Sequence, residues 1–267
     1  MASIAMNVPD RQVSIGRVFG RAFGTIGSNP VTTLGIAFLF SALPTTLINL
    51  AFRQVRGTDL SQMSVATNAA LTMFSALLGV AFYAIVQGAL VRSTVEHEEG
   101  RHPGLGESIM AGLVVAIPLI VMAIISSIAV GIGLVLLVVP GVILYLMWSV
   151  SAPALVDERL GIMGALGRSR YLTRGYRWKI LGMVLVLSVL SWLALALMTI
   201  LVVAGGSFSL QAMAKAQQDP SIVAIAVLLI IQTLTSVVGG VSHASLFVEL
   251  RNAKDGPSDA ALADVFR

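Results

Sequence analysis

The sequence predicts an all-α fold, a polytopic membrane bundle of six transmembrane helices, and three observations predict it. Charged residues make up 11% of the chain and hydrophobic residues 57%, where an ordinary soluble domain carries about 25% charged residues. Uncharged stretches long enough to cross a hydrocarbon layer, about 20 residues at 1.5 Å each, recur along the whole length. The cations fall very unevenly among the connections between those stretches. The chain has no cysteine, which excludes disulfides, a thiolate nucleophile and a cysteine-based metal site.

Residues 1–29 precede the first span. Within them Ile15, Val18, Phe19, Ala22, Phe23 and Ile26 share one helical face, with Arg17 and Arg21 beside it, so this segment reads as an amphipathic interfacial helix. Gly16, Gly20 and Gly24 form a small-residue ladder, a signal for close helix packing. The first apolar run starts only at Pro30, contains Pro44 and has no small-residue cleavage site after it, so the N-terminus is expected to be retained. Asn29 is placed to cap a helix starting at Pro30, whose missing N–H costs nothing in a first turn.

The spans follow in order within a transmembrane domain at 30–250. TM1 occupies 30–52 and TM2 68–91, with a polar loop between them. TM3 and TM4 divide the 49 uncharged residues from Ser108 to Val156. A turn at Pro140-Gly141 would give helices of about 45 and 24 Å against a core of about 30 Å. Length therefore places the turn near 127–133, with TM3 at 108–127, TM4 at 133–156 and Pro140 as a kink, while the Pro-Gly turn stays open. TM5 covers 180–204, TM6 covers 221–247, and the polar tail 251–267 is expected to fray.

Six spans put both termini on one side. Fourteen of the 17 Lys and Arg residues lie on that side, and Arg53, Arg56 and Lys215 on the other. The positive-inside rule then makes both termini cytoplasmic. The densest cluster is GALGRSRYLTRGYRWK, residues 164–179, which holds Arg168, Arg170, Arg174, Arg177 and Lys179. Ile162, Ala165, Leu166, Ser169, Leu172 and Tyr176 recur at helical spacing with the arginines largely on the other side. This predicts a cytoplasmic amphipathic helix at 158–175 lying on the inner leaflet, ended by Gly175, with Tyr176 and Trp178 as interfacial anchors. An offset of 147 residues aligns Gly20-Arg21 with Gly167-Arg168 and 34–43 with 181–190, which suggests a repeated unit of surface helix and spans.

Polar residues inside the spans fall into stripes: Asn68, Thr72, Ser75 and Gly79 in TM2, Ser188, Ser191 and Thr199 in TM5, and Gln232, Ser236, Gly239 and His243 in TM6. Packing through small residues and interhelical hydrogen bonds is the reading favoured over a transport path. His243 is the one ionisable side chain placed inside a span, with only Glu249 as an acidic candidate nearby, and is read as a hydrogen-bonded packing residue. Pro44, Pro118, Pro140 and Pro153 are read as kinks tolerated by membrane helices. The segment His97-Glu-Glu-Gly-Arg-His102 spaces its histidines five apart, where a zincin needs four, so no metal site is assigned. No nucleophile with its base, paired carboxylates or phosphate loop is present, and no cofactor and no enzymatic activity are expected.

The run from Pro140 to Gly182 resembles the signature of bacterial inner-membrane proteins of the glycerophosphodiester phosphodiesterase membrane-domain family and the related YciC-like family. The matching elements are Pro140-Gly141, Trp148, Pro153, Glu158, Ala165-Leu166, Ser169, Leu172-Thr173, Gly175 and Trp178. The resemblance implies an integral protein of the bacterial cytoplasmic membrane linked to envelope upkeep. It does not imply the phosphodiesterase activity, because no segment here is long or polar enough for that catalytic domain. The expected role is a scaffold whose basic helices, through Arg17, Arg21, Arg168, Arg170, Arg174, Arg177, Trp178 and Lys179, contact anionic headgroups or a membrane-protein partner, including a second copy of the chain. The alternative is a transporter or lipid-translocating protein using the stripes of TM2, TM5 and TM6. Nucleic acid is not expected as a partner.

Overall fold

The computed structural model describes residues 13–57, 64–98, 101, 103–204 and 221–256. Arg11, His102, Lys215, Arg267 and most of the polar tail lie outside these residues, and the side chains of Arg53 and Arg56 are likewise not described. Among the described residues the chain is all-α, with no strand. In order the helices are α1 (Ile15–Ser28), α2 (Pro30–Ala37), a π-helical turn (Phe38–Ala42), α3 (Leu43–Gly57), α4 (Val65–Glu98), α5 (Leu105–Leu136), α6 (Val138–Met147), α7 (Ser151–Glu158), α8 (Ile162–Thr173), α9 (Arg177–Ala204) and α10 (Ile222–Lys254). Six helical stretches are long and apolar enough to cross a membrane, those beginning at Pro30, Val65, Leu105, Val138, Arg177 and Ile222. The protein is therefore a multi-pass membrane protein.

Local chemistry explains the irregular points. The Asn29 side chain accepts from the Thr32 N–H at 3.4 Å, and Pro30 stands at the first helical position. Pro44 has no N–H to give the Phe40 carbonyl four residues back, and its ring would crowd that carbonyl. The π-helical turn at Phe38–Ala42 widens the helix there, so the first span passes Pro44 without breaking.

The third and fourth spans meet at Leu137, not between residues 127 and 133. Leu137 is extended (φ −159°, ψ 136°) between α5 and α6. Pro140 is in the first turn of α6 and Pro153 in the first turn of α7, where N–H groups have no helical partner in any case, so neither kinks a helix interior. Glycine makes the tight corner possible. A Cβ on Gly133 would lie 2.9 Å from the Gly141 Cα, and one on Gly141 would lie 2.6 Å from the Leu134 nitrogen. The length rule failed because a helix can tilt or overrun the hydrocarbon, whereas side-chain space at the corner is not negotiable.

Burial is concentrated at one end of the bundle, hereafter the charged end. The core there joins Val18 of α1, Val91 and Val95 of α4, Leu155 of α7, Leu166 and Leu172 of α8, Ile180 and Met183 of α9, and Phe247 and Leu250 of α10. The α4–α5 contact rests on Gly88 and Gly112. A Cβ on Gly112 would sit 2.5 Å from the Ile85 carbonyl oxygen, so only glycine permits that approach. The ladder Gly16, Gly20, Gly24 does not serve this purpose. It is exposed, and a Cβ on Gly20 or Gly24 would meet nothing within 4 Å. A short helix followed by a span occurs twice, as α1 with α2 and as α8 with α9.

Candidate functional site

The charged end is built by ion pairs that the sequence did not reveal. Glu249 of α10 is 5% exposed. It accepts from Arg17 Nε at 2.6 Å and lies 3.5 Å from Arg21 Nη2, while Arg21 Nη1 stands 3.3 Å from Glu98 of α4. Arg168 of α8 donates to Glu158 at 2.8–2.9 Å and pairs with Asp255 beyond α10. The hydrogen bond to Asp255, with that to Glu158, outweighs desolvation and raises the Arg168 pKa above its ordinary value. Arg251 pairs with Asp157 of α7, and Arg92 with Glu96 one turn on.

These pairs change several sequence expectations. Arg17, Arg21 and Arg168 bind carboxylates of their own chain, so none of them is offered to lipid as an uncompensated charge. The polar tail does not fray at Arg251, since α10 continues through Lys254 and Asp255 is tied to α8. Lys254 also sits 5.6 Å from the ring centroids of both Tyr171 and Tyr176. Glu249 is not a partner of His243. Six residues apart on a helix, the two side chains lie about 120° apart round the axis, and His243 Nδ1 lies 2.8 Å from the Gly239 carbonyl oxygen. A carbonyl only accepts, so Nδ1 carries the proton.

The α8 helix has two faces. Ala165, Leu166, Ser169, Leu172 and Thr173 are buried, so the apolar face lies against the protein's own helices and not against lipid as expected. Ser169 Oγ and Thr173 Oγ1 donate to the Met147 carbonyl at 2.8 and 3.3 Å. That carbonyl stands where α6 ends at Trp148, and Ser151 N–H, its would-be helical partner, goes to Trp148 O instead. Ser169, Thr173 and Glu158 thus stitch α8 onto the α6–α7 break. Gly175 closes the helix at φ +91°, a region that suits glycine. On the opposite face Met163, Arg170, Tyr171 and Arg174 are exposed, and Trp178 beyond them is 84% exposed. Arg170 and Arg174 make no ion pair among the described residues. Arg177 is half-buried, and Lys179 lies 5.9 Å from the Tyr176 ring centroid.

Of the polar stripes, the structure brings together two. Ser188 and Ser191 of α9 face Thr235, Gly239 and His243 of α10 across a cleft of about 530 Å³ that Tyr145 also lines. Gln232 and Ser236 are half-buried beside it without lining it. The α4 stripe stands apart: Thr72 and Ser75 hydroxyls donate to carbonyls of their own helix at 2.8 Å. A larger cleft of about 1120 Å³ opens at the charged end between α4, α5 and α7. Among the described residues no three His, Asp or Glu side chains converge as a metal set.

No family model, no curated protein and no solved structure matches this chain.

Proposed function

We propose that the protein is a non-enzymatic scaffold of the bacterial cytoplasmic membrane, with both termini in the cytoplasm, that holds anionic lipid against the exposed face of α8. One observation carries the reading. Met163, Arg170 and Tyr171 on α8, Arg174 at its C-cap and Trp178 at the start of α9 are all exposed, while the other face of α8 is fixed in the core. Cations beside interfacial aromatics suit an anionic surface, at about 1 kcal/mol for each cation. The resemblance to the glycerophosphodiester phosphodiesterase membrane-domain and YciC-like proteins supports the same reading through envelope upkeep. The internal ion pairs take Arg17, Arg21 and Arg168 out of the working set, and with Arg177 and Lys179 half-buried the exposed cations of this face are Arg170 and Arg174.

The test uses the whole protein in bilayers, with tryptophan quenching by brominated phosphatidylglycerol or brominated phosphatidylcholine. The wild type is expected to show excess quenching by the anionic lipid, lost with added salt. Arg170→Gln with Arg174→Gln is expected to remove that excess, since roughly 2 kcal/mol of attraction disappears. Equal quenching by the two lipids in the wild type would sink the reading.

A second reading has its own observation, the α9–α10 cleft with His243, Ser188 and Ser191 in its wall. It supports a transporter or lipid translocator. His243→Gln keeps hydrogen bonding without a titratable ring, and a proton-dependent transport activity lost selectively in that variant would favour this alternative.

A further inference from the structure

We infer that the cleft between α4, α5 and α7 is a binding site for a single dipolar phospholipid, one whose headgroup carries a phosphate and a primary ammonium. The inference is separate from the α8 face and does not depend on it.

The cleft is graded from polar to apolar. Arg92, Glu96, Glu107 and Arg159 stand at its charged rim, and Met110, Val114, Val115 and Pro118 of α5 continue the wall. From Glu107 to Pro118 is eleven residues of one helix face, roughly 16 Å of rise, about half a hydrocarbon core of ~30 Å. The wall is therefore as deep as one leaflet. Met110 and Val114 are largely exposed, so the cleft opens sideways toward lipid. Its volume, about 1120 Å³, exceeds the roughly 300–1,000 Å³ of ordinary small-molecule sites. A two-chain amphiphile suits that size and gradient.

Charge selects the headgroup. Arg92 and Glu96 satisfy each other. Two rim charges remain without an ion pair among the described residues, the Arg159 guanidinium and the Glu107 carboxylate, and both are exposed. Among the described residues Glu107 accepts only a long contact, 3.4 Å, from Gly104 N–H. Opposite charges on one rim match a phosphate that accepts from Arg159 and an ammonium that donates to Glu107. A purely anionic headgroup would bring a second negative charge to Glu107, and a trimethylammonium has no N–H to donate. Arg159 is the left-handed cap that ends α7, at φ +50°, so the end of that helix fixes where its side chain leaves the backbone at this rim.

The experiment is native mass spectrometry of the full-length protein, titrated with phosphatidylethanolamine, phosphatidylcholine or phosphatidylglycerol of matched chains. The wild type is expected to retain one phosphatidylethanolamine, at about tenfold higher affinity than the other two lipids. Arg159→Gly suits the backbone, so the fold should melt no lower while phosphatidylethanolamine retention falls. Gly106→Leu enters open space, since a Cβ there meets nothing within 4 Å, and should block the cleft in a folded protein. Glu107→Gln should erase the preference over phosphatidylcholine. Arg170→Gln with Arg174→Gln should leave this lipid bound, which separates failure here from failure of the α8 reading. Equal retention of the three lipids, preference for phosphatidylglycerol, or unchanged retention in Arg159→Gly and Gly106→Leu would overturn the proposal.

Discussion

Removing Glu249 and removing its two arginines are physically different changes. In Glu249→Ala the arginines lose a partner, but Arg17 is 53% exposed and Arg21 27% exposed at the side chain, so water can replace it. In Arg17→Met with Arg21→Met, side chains of similar length still cover a carboxylate whose side chain is 6% exposed, and it loses its cations. Stranding a buried charge costs about 3–5 kcal/mol, where a rehydrated one costs about 1. The double arginine variant is therefore expected to unfold at clearly lower temperature than Glu249→Ala in the same detergent; the reverse order would refute the account. The sequence showed Glu249 and both arginines but not their meeting, because Arg17 and Glu249 are 232 residues apart and no periodicity links them. The same holds for Arg168 with Asp255.

The helices themselves were legible, and the reason is specific to membranes. Spans have to be apolar on every side, so long uncharged runs mark them whatever packs beside them. What runs of apolar residues do not encode is which backbones touch. Gly112 holds α5 against α4 and Gly133 meets Gly141, while the more regular ladder at Gly16, Gly20 and Gly24 faces outward. Gly112→Ala is accordingly expected to destabilise by about 1–3 kcal/mol through overpacking. Gly20→Ala is expected to be neutral or to stabilise by up to about 1 kcal/mol through helix propensity. Thermal unfolding of the two variants side by side checks this, and equal losses would overturn it. The α8 pattern teaches a related lesson: Leu166 and Leu172 announced a buried face, but a hydrophobic stripe reads the same whether lipid or protein covers it.

At the scale of the whole molecule the cation distribution predicts orientation. Reporter fusions at Ser64 and Ser221 are expected to read as periplasmic, and fusions at Gly104 and Gly175 as cytoplasmic. A cytoplasmic signal at Ser221 would break the arrangement. The fold class was readable at this scale, whereas function was not, because the candidate clefts are assembled from distant segments: Ser188 with His243, and Glu107 with Arg159. The bond between Arg17 and Glu249 has a further consequence, in time. The two residues are 232 positions apart, so at a synthesis rate of roughly 5–20 residues per second the ribosome delivers Glu249 about 10–50 s after Arg17. Throughout that interval α10 has not been made, so nothing yet holds Arg17 to Glu249, whereas Glu98 of α4 reaches Arg21 earlier in synthesis. Only when the last described helix arrives does the bond to Glu249 latch α1. That bond is thus the closing clasp of the finished bundle, tying its first described helix to its last.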